Sequence, residues 1–498
     1  MSSDKLKFAF HSVAYNYMGK ILSTISTFFT FIMIVRILNI EDYGKYTLYI
    51  NTIFFAVILF DFGATEVVLR YIPEFLQKKE IYRIKDLSKK VVYVISLASL
   101  LSGLIIFSAS ALAPSLATKF AIIKFLPYII LFGWAKILSF IFSNILNAFF
   151  LQAYRISVET IASFLRLILI YLLIHKGIGV WGIIIIYALM DFMIVGLFYL
   201  KVRSRLNIPC KLQDNKYYKK IFKFGMGEYF YKLFWFFTDN RFDIYLISVI
   251  LGMKQAGYLA FAAGIVNLLV DWSPGLIIRP VIAPLFVREY TGKRDSAQVK
   301  YLFQLHNKFL MFVSLPIFVL MAVFIDKLIM YIFDPKYLPS MQAFLIFIVS
   351  MCFLNIIIPL RNIIFLIERP DISNISNISA IPKIILIYLF AKLSGINGVA
   401  VIYTFSLLVT VMINVILIKK SIDICYPWKA FSRIIFNCLI MGIILFSLRS
   451  FVTNKLNLLL ITFLGVVVYL IMSYLNKAFE GADRDLLNKM FGAKVWNF

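Results

Sequence analysis

Residues 222–257 read FKFGMGEYFYKLFWFFTDNRFDIYLISVILGMKQAG, a stretch that is apolar and long enough to cross a lipid bilayer. It nevertheless carries charges in its middle, at Glu228, Lys232, Asp239, Arg241 and Asp243. Charges in a spanning helix are costly, and they normally face a protein interior or a water-filled cavity. The stretch therefore predicts a membrane helix with a polar interior face.

The polar residues of this stretch recur at helical spacing. Glu228, Lys232, Trp235, Asp239 and Asp243 follow one another at steps of four, three, four and four residues, which places them on one face of a continuous helix. Such a face can line the lumen of a transporter. Alternatively, it can form interhelical ion pairs that only hold the helix bundle together. The sequence leaves both interpretations open and favours the lumen face.

Composition sets the class of protein. The chain has 498 residues, 62% of them hydrophobic and 15% charged, with a mean hydropathy of +0.89. A soluble protein is about a quarter charged. The apolar runs are continuous rather than alternating, which excludes a β-barrel. We predict an all-α polytopic membrane protein with about fourteen transmembrane helices. The predicted spans lie near 11–38, 44–70, 89–113, 120–148, 156–175, 180–201, 219–250, 256–286, 301–325, 340–367, 372–393, 397–418, 430–450 and 455–476.

The net charge of +26 is concentrated in alternate connections between the spans. Lysine and arginine crowd the connections after spans 2, 6, 8 and 12 and the C-terminal tail, and they are sparser in the odd-numbered connections. The positive-inside rule therefore predicts that both termini are cytoplasmic, in a plasma membrane. These basic loops predict membrane lipids as partners and no nucleic acid.

A short internal repeat predicts two halves. Residues 37–44, ILNIEDYG, can be aligned with residues 250–257, ILGMKQAG, at an offset of 213. Both segments end one span and begin the next. The alignment predicts two six-helix lobes in the same orientation, and two further helices at the C-terminus. The predicted domains are 1–210, 211–422, and 423–498 for the extra spans and the tail.

Other spans carry polar groups as well. Lys20 lies on a stripe of small polar residues in span 1, at the positions that the repeat aligns with the stripe of span 7. Because helix packing does not require a charge, Lys20 favours a lumen. Glu66 pairs with Arg70 at i, i+4, or lines the interior. The remaining intramembrane charges include Asp271, Arg279, Lys136, Arg166, Asp191, Arg361 and Lys383, and Arg166 with Asp191 can neutralise each other.

The exit from span 1, Arg36-Ile37-Leu38-Asn39-Ile40-Glu41-Asp42-Tyr43-Gly44-Lys45-Tyr46, resembles that of the polysaccharide-biosynthesis flippases. These are oligosaccharide exporters of the multidrug/oligosaccharidyl-lipid/polysaccharide exporter superfamily. Asp243 before Leu251-Gly252 is similar to that family's exit from its seventh span. The resemblance extends over nearly the whole chain, and the scarcity of arginine in span 1 argues against the lipid II branch.

This resemblance implies two lobes around a central lumen that opens alternately to each side. The cargo implied is a polyprenyl-diphosphate-linked oligosaccharide, which moves from the cytoplasmic to the outer leaflet for surface polysaccharide or glycan assembly. Residues assigned to substrate binding are Lys20, Lys232, Arg279, Arg361 and Trp235. Residues assigned to ion coupling or charge pairing are Glu228, Asp239, Asp243, Asp271 and Glu66. The partners implied are the cargo, membrane lipids, a coupling proton or sodium ion, and glycan-assembly proteins.

Three alternatives stay open. An ion-coupled multidrug or cation exporter of the same superfamily has a more acidic lumen. A membrane polysaccharide polymerase or ligase is an enzyme and needs a large outer loop, which no predicted connection provides. A non-transporting scaffold leaves the polar stripes unexplained. The chain has no G-x-x-x-x-G-K-[ST] phosphate loop and no H-E-x-x-H motif, and its four cysteines lack metal spacing. We therefore predict a protein without enzymatic activity, catalytic residues, metal or cofactor.

Overall fold

A computed structural model describes residues 3–112, 126–149, 151–174, 177, 179–206, 215–271, 296–367 and 369–491. Within these ranges it describes the backbone alone for residues 3–18, 20, 77, 105–107, 109–112, 126, 174, 215–217, 271, 296–298, 365–366, 370, 486–487 and 489–491. Within these ranges the chain is helical and has no β-strand. The helices are α1 (Ser3–Ile37), α2 (Ile40–Asp61), α3 (Ala64–Gln77), α4 (Ile81–Leu112), α5 (Leu126–Ala148), α6 (Gln152–Ile174), α7 (Val180–Arg205), α8 (Asn215–Thr238), α9 (Asn240–Ile250), α10 (Met253–Asp271), α11 (Ser296–Tyr331), α12 (Met341–Leu366), α13 (Pro370–Ser376), α14 (Ala380–Lys419), α15 (Trp428–Ser447), α16 (Lys455–Asn476) and α17 (Gly481–Phe491). Short 3-10 helices lie at Pro335–Ser340, Asn377–Ser379 and Arg449–Phe451.

The described helices account for the predicted membrane spans. Among the described residues, 11 helical stretches are long and apolar enough to cross a membrane. The stretch Asp371–Lys419 covers two predicted spans, because Gly395 interrupts α14 with a φ of 60°. α1 contributes the shorter apolar helix Ile21–Ile37, and α8 with α9 lies in the predicted span 7. Each predicted span contains at least part of a helix, and the all-α polytopic class is confirmed.

The chain divides into two compact units, and the N-terminal unit is Met1–Phe237. In this unit α5 contacts α2, α3, α4 and α7, and α1 packs along α6. The α1–α6 contact is close because small residues meet there. The Ser26 hydroxyl donates to the Ser163 carbonyl at 2.9 Å, and the Thr160 hydroxyl donates to the Gly19 carbonyl at 3.1 Å.

The C-terminal unit is Thr238–Phe498. Its described helices pack α12 against α14 and against α11, and α15 against α11 and α16. Buried Val299 of α11, Ile363 of α12, Ile434 of α15 and Leu458 of α16 belong to one apolar core, so the two extra C-terminal spans share a core with α11 and α12. The domain boundaries that we predict at residues 210 and 422 stay a prediction.

The span predicted near 44–70 is present as two helices, because the helix breaks within it. α2 ends at Asp61, and Phe62 and Gly63 adopt left-handed φ values of 43° and 71° before α3 begins. A Cβ at Gly63 would lie 1.9 Å from the carbonyl oxygen of Gly225 on α8. Two backbones therefore meet at a position that only glycine can occupy.

The predicted continuous span 219–250 is wrong for a similar reason. α8 ends at Thr238, and α9 begins at Asn240. Asp239 between them is extended, with φ −74° and ψ 152°, and its carboxylate accepts the amide N–H of Arg241 at 2.9 Å. Asp239 is therefore an N-cap residue, which starts a new helix and changes its direction. Residues 228–243 do not form one continuous helical face.

The turns that we aligned as a repeat do have matching helix boundaries. α1 ends at Ile37 and α2 begins at Ile40, while α9 ends at Ile250 and α10 begins at Met253, each 213 residues later. The helices on either side differ, since α1 is unbroken where α8 gives way to α9.

We expect Gly63→Ala to destabilise the protein by more than about 2 kcal/mol. Alanine there combines an unfavourable left-handed φ with a clash against backbone, which cannot rotate away. Thermal unfolding of the purified protein in detergent measures this as a lower Tm.

Gly227→Ala is the matched control, because Gly227 lies within α8 and a Cβ there meets no atom within 4 Å. It should leave Tm unchanged or raise it slightly, since alanine favours a helix by about 1 kcal/mol over glycine. Equal Tm values for the two variants would contradict the close approach at Gly63.

Candidate functional site

The first charged cluster lies within the N-terminal unit, where Lys232 on α8 meets two carboxylates. Its ammonium nitrogen is 2.7 Å from Asp61 Oδ2 and 3.3 Å from Glu66 Oε1. The Asp61 side chain is 2% exposed, whereas those of Lys232 and Glu66 are 22% and 24% exposed. The cluster therefore lies within the predicted spans 2 and 7, and its Lys232 and Glu66 side chains remain partly exposed.

The break between α2 and α3 positions both carboxylates. Asp61 is the last residue of α2, and Glu66 lies in the first turn of α3. Asp61 Oδ1 accepts the Thr65 amide N–H at 2.9 Å and the Thr65 hydroxyl, so it satisfies a donor at the start of α3. A carboxylate in the first turn of a helix is favoured by the helix dipole. Lys232 thereby ties the end of one helix to the start of the next.

Aromatic contacts hold α8 beside α2 around this cluster. Phe62 stacks on Tyr229 with 5.1 Å between ring centroids, and the rings of Phe55 and Phe236 are 4.6 Å apart. Trp235, which we predict to bind substrate, has its ring 6.3 Å from that of Phe54 in an edge contact. These contacts fix the position of α8, and therefore of Lys232, beside α2.

The second charged cluster lies within the C-terminal unit. Lys383, in the first turn of α14, forms an ion pair of 2.6 Å with Asp243 Oδ1, and both side chains are 0% exposed. The Lys383 ammonium also donates to the carbonyl oxygens of Thr238 at 2.9 Å and Asp239 at 3.3 Å. Those carbonyls belong to the junction of α8 and α9, so a lysine again holds a helix break.

The residues of the predicted stripe are thus divided between two clusters. Lys232 pairs in the N-terminal unit, while Asp239 and Asp243 lie in the C-terminal unit, where Asp239 caps α9 and Asp243 binds Lys383. Glu228 is 7% exposed on α8. The prediction of one shared face fails because the backbone becomes extended at Asp239.

The other predicted site residues are placed as follows. Arg361 on α12 donates to the hydroxyl of Ser373 at 2.8 Å. Lys20 lies on α1 and Asp271 ends α10, but their side chains are outside the described residues, as is the whole of Arg279. Asp191 does not neutralise Arg166, because it pairs with Lys136 at 2.9 Å.

Asp61 and Lys383 hold these clusters together, and our predicted site omits both. A signal for Asp61 exists in the sequence, since Asp61-Phe62-Gly63 places a capping residue and a glycine inside an apolar run. Lys383 stands out in the sequence as an intramembrane charge, but its partners are distant in sequence and could not be predicted.

A family model described as "Polysaccharide biosynthesis protein" matches residues 10–288, more than half of the chain. The chain belongs to this family. The resemblance seen in the exit of span 1 is thereby confirmed. No curated protein matches the sequence.

Solved structures that share the fold of this family member are transporters. One is the lipid II flippase MurJ in an inward closed conformation, with TM-score 0.69 and 18% identity over 96% of this chain and 99% of that chain. Another is an inward-facing multidrug resistance MATE family transporter of the MOP superfamily, with TM-score 0.61 and 13% identity over 82% of this chain and 97% of that one. A third is a MOP superfamily transporter from Pyrococcus furiosus, with TM-score 0.58 and 12% identity over 82% and 95%. These likenesses show the fold of a multi-span membrane transporter.

We expect Lys383→Met to destabilise this family member strongly. The change leaves the buried Asp243 carboxylate without its counter-ion and takes the ammonium donor from the Thr238 carbonyl, while the Asp239 carbonyl keeps the Phe242 amide N–H at 3.3 Å. Removing one partner of a buried ion pair costs about 3–5 kcal/mol. Thermal unfolding in detergent should show a Tm well below that of the native protein.

Lys392→Met is the matched control on the same helix, because Lys392 is exposed and its ammonium contacts the Tyr388 side chain one turn away. Its Tm should stay near the native value. Similar Tm values for both variants would contradict a structural role for Lys383.

Proposed function

We propose that this protein is a flippase that moves a polyprenyl-diphosphate-linked oligosaccharide from the cytoplasmic to the outer leaflet. The observation that carries the proposal is the Lys232 cluster, a partly exposed cation inside a span of a polysaccharide-biosynthesis family member. A diphosphate is the part of such a cargo that binds cations. The fold shared with a lipid II flippase supports the same class of transport.

Lys232 suits the binding of a diphosphate that must later be released. Its ammonium is a point charge on a flexible four-carbon stem, so it can leave one carboxylate for another anion with little backbone change. The two carboxylates that hold it compete with the diphosphate, which keeps binding reversible. Lys20, Arg279 and Arg361 are the further cations that we propose for the cargo, and Trp235 for contact with sugar.

The same cluster gives a physical basis for ion coupling. When fully ionised, Lys232, Asp61 and Glu66 carry one positive and two negative charges. If the lysine turns to a diphosphate, Asp61 and Glu66 lose their counter-ion, and a proton or sodium ion restores the balance. We propose Glu66 as the exchanging carboxylate because it is 24% exposed, while Asp61 is 2% exposed.

Orientation follows from charge in this proposal. The lysine-rich connections and the basic tail are placed in the cytoplasm, with both termini, in a plasma membrane. Alternating access, without covalent chemistry, moves the headgroup while the lipid tail stays in the bilayer. Glycan-assembly proteins then use the cargo at the outer leaflet.

A second candidate function is the export of organic cations. The net negative charge of the Lys232 cluster favours it, and the fold is shared with a multidrug resistance MATE family transporter. This candidate places cationic cargo against Asp61 and Glu66 and gives Lys232 no contact with the cargo.

Flipping in reconstituted vesicles separates the two functions. We expect the native protein to move a short polyprenyl-diphosphate sugar and Lys232→Ala to lose at least about tenfold in rate, since a charge-assisted contact contributes roughly 1.5–3 kcal/mol. The readout is the accessibility of the sugar to an external enzyme, with Tm measured on each variant to exclude unfolding.

The control is Lys223→Ala, which removes an exposed lysine from the same helix and should keep the native rate. Equal rates for Lys232→Ala and the native protein would refute the role of Lys232. A native protein that moves small cations but no lipid-linked sugar would favour export, and recovery of lengthened glycan would favour a polymerase.

A further inference from the structure

Arg166 is an intramembrane cation that the clusters above do not use. It lies on α6, on the same face as Ala162, Ser163 and Ile170, which are 0%, 6% and 1% exposed. Because these residues are buried in the N-terminal unit, Arg166 faces its interior rather than lipid. It is eight residues before the end of α6 at Ile174, or about 12 Å along the helix axis.

Tyrosine side chains surround the guanidinium. Its carbon Cζ is 4.2 Å from the ring centroid of Tyr187 on α7, and Tyr46 on α2 is close enough to interact electrostatically with Arg166. The rings of Tyr46 and Tyr187 are 6.4 Å apart, so both border the same space. The attraction of a cation to an aromatic ring is weaker than the cost of burying a charge.

The nearby carboxylates bind other cations. Asp191, one turn after Tyr187 on α7, is paired with Lys136 at 2.9 Å. Glu159, on α6 itself, is paired with Arg155 at 3.1 Å. Among the residues that the structure describes, no carboxylate forms an ion pair with Arg166, and its buried Nε has no hydrogen-bond partner.

We propose that Arg166, Tyr46 and Tyr187 form an oxyanion-binding subsite within the N-terminal unit, for a phosphate or carboxylate group. A guanidinium that lies on a ring keeps its edge for an oxyanion, which it binds through two parallel N–H groups. The hydroxyls of Tyr46 and Tyr187 hydrogen-bond to each other, which leaves one O–H of the pair to donate to the anion. That the anion belongs to the lipid-linked cargo rests on the proposed function; a free phosphate has the same chemistry.

Binding by the purified full-length protein in detergent tests this subsite. The probes are inorganic pyrophosphate, a short polyprenyl diphosphate and, as the uncharged comparison, glucose. We expect both anionic probes to bind to the native protein. Arg166→Gln should weaken their binding at least tenfold, which is about 1.4 kcal/mol. Arg166→Lys should lose less, because it keeps the charge without the planar pair of donors.

Arg155→Gln is the matched control on the same helix, because Arg155 is already neutralised by Glu159. It should bind the probes within about twofold of native. If Arg166→Gln does not fold, Tyr187→Phe, which keeps the ring under the guanidinium and removes one hydroxyl, should weaken pyrophosphate binding about threefold or more.

Two results would overturn the subsite. One is native-like affinity in Arg166→Gln, whether or not its Tm falls, which would leave Arg166 a packing role on Tyr187. The other is a native protein that binds neither of the two anionic probes.

The flipping assay separates this subsite from the proposed function. Anion binding that depends on Arg166, in a protein that does not flip the cargo, would support the subsite and refute the flippase. Flipping by a protein whose anion binding does not depend on Arg166 would support the flippase and refute the subsite. Stronger binding of the lipid diphosphate than of pyrophosphate would assign the subsite to the cargo.

Discussion

The described structure depends on lysine ammonium groups that hold broken helices together in an apolar environment. A helix that breaks inside a bilayer exposes backbone groups that cannot turn to water, and each must find a partner within the protein. Lys383 reaches the carbonyls of Thr238 and Asp239 together with the Asp243 carboxylate. Lys232 binds Asp61, which in turn accepts the Thr65 amide N–H in the first turn beyond the break in span 2.

The two lysines differ in their access to anything outside the protein. Lys383 and Asp243 are 0% exposed, so this pair can change only when the surrounding helices move. Lys232 is 22% exposed, and Glu66 beside it is 24% exposed. The same interaction is therefore structural in the C-terminal unit, while in the N-terminal unit we propose that it also exchanges with the cargo.

Much of the fold follows from the sequence, because apolar runs about 20 residues long specify spanning helices. The spans, the fold class and the turns at residues 38–39 and 251–252 could be predicted this way. The prediction of one shared polar face over residues 228–243 is wrong, because it assumes that helical periodicity continues through the break at Asp239. Residues four apart share a face only while the helix continues. An aspartate can serve as the N-cap of a new helix, so Asp239 is itself a signal that the first helix ends.

The partners of the charged residues could not be predicted in the same way. Asp61 is 171 residues from Lys232, and Lys383 is more than 140 residues from Thr238 and Asp239. Such pairs depend on which helices become neighbours, which hydrophobic periodicity does not specify. The roles assigned to all of the predicted site residues remain predictions, and the side chains of Lys20, Asp271 and Arg279 lie outside the described residues.

The most direct test of the lysine-held breaks is the thermal stability of the double variant Lys383→Met, Asp243→Leu. Replacing a buried ion pair by apolar residues is often neutral or stabilising by about 1–4 kcal/mol when the pair is the whole interaction. Here the Thr238 carbonyl also loses its ammonium donor, which costs about 1–3 kcal/mol. The Asp239 carbonyl loses the ammonium as well but keeps the Phe242 amide N–H at 3.3 Å. We predict a double variant with a Tm clearly below native. A double variant as stable as the native protein, or more stable, would contradict the account.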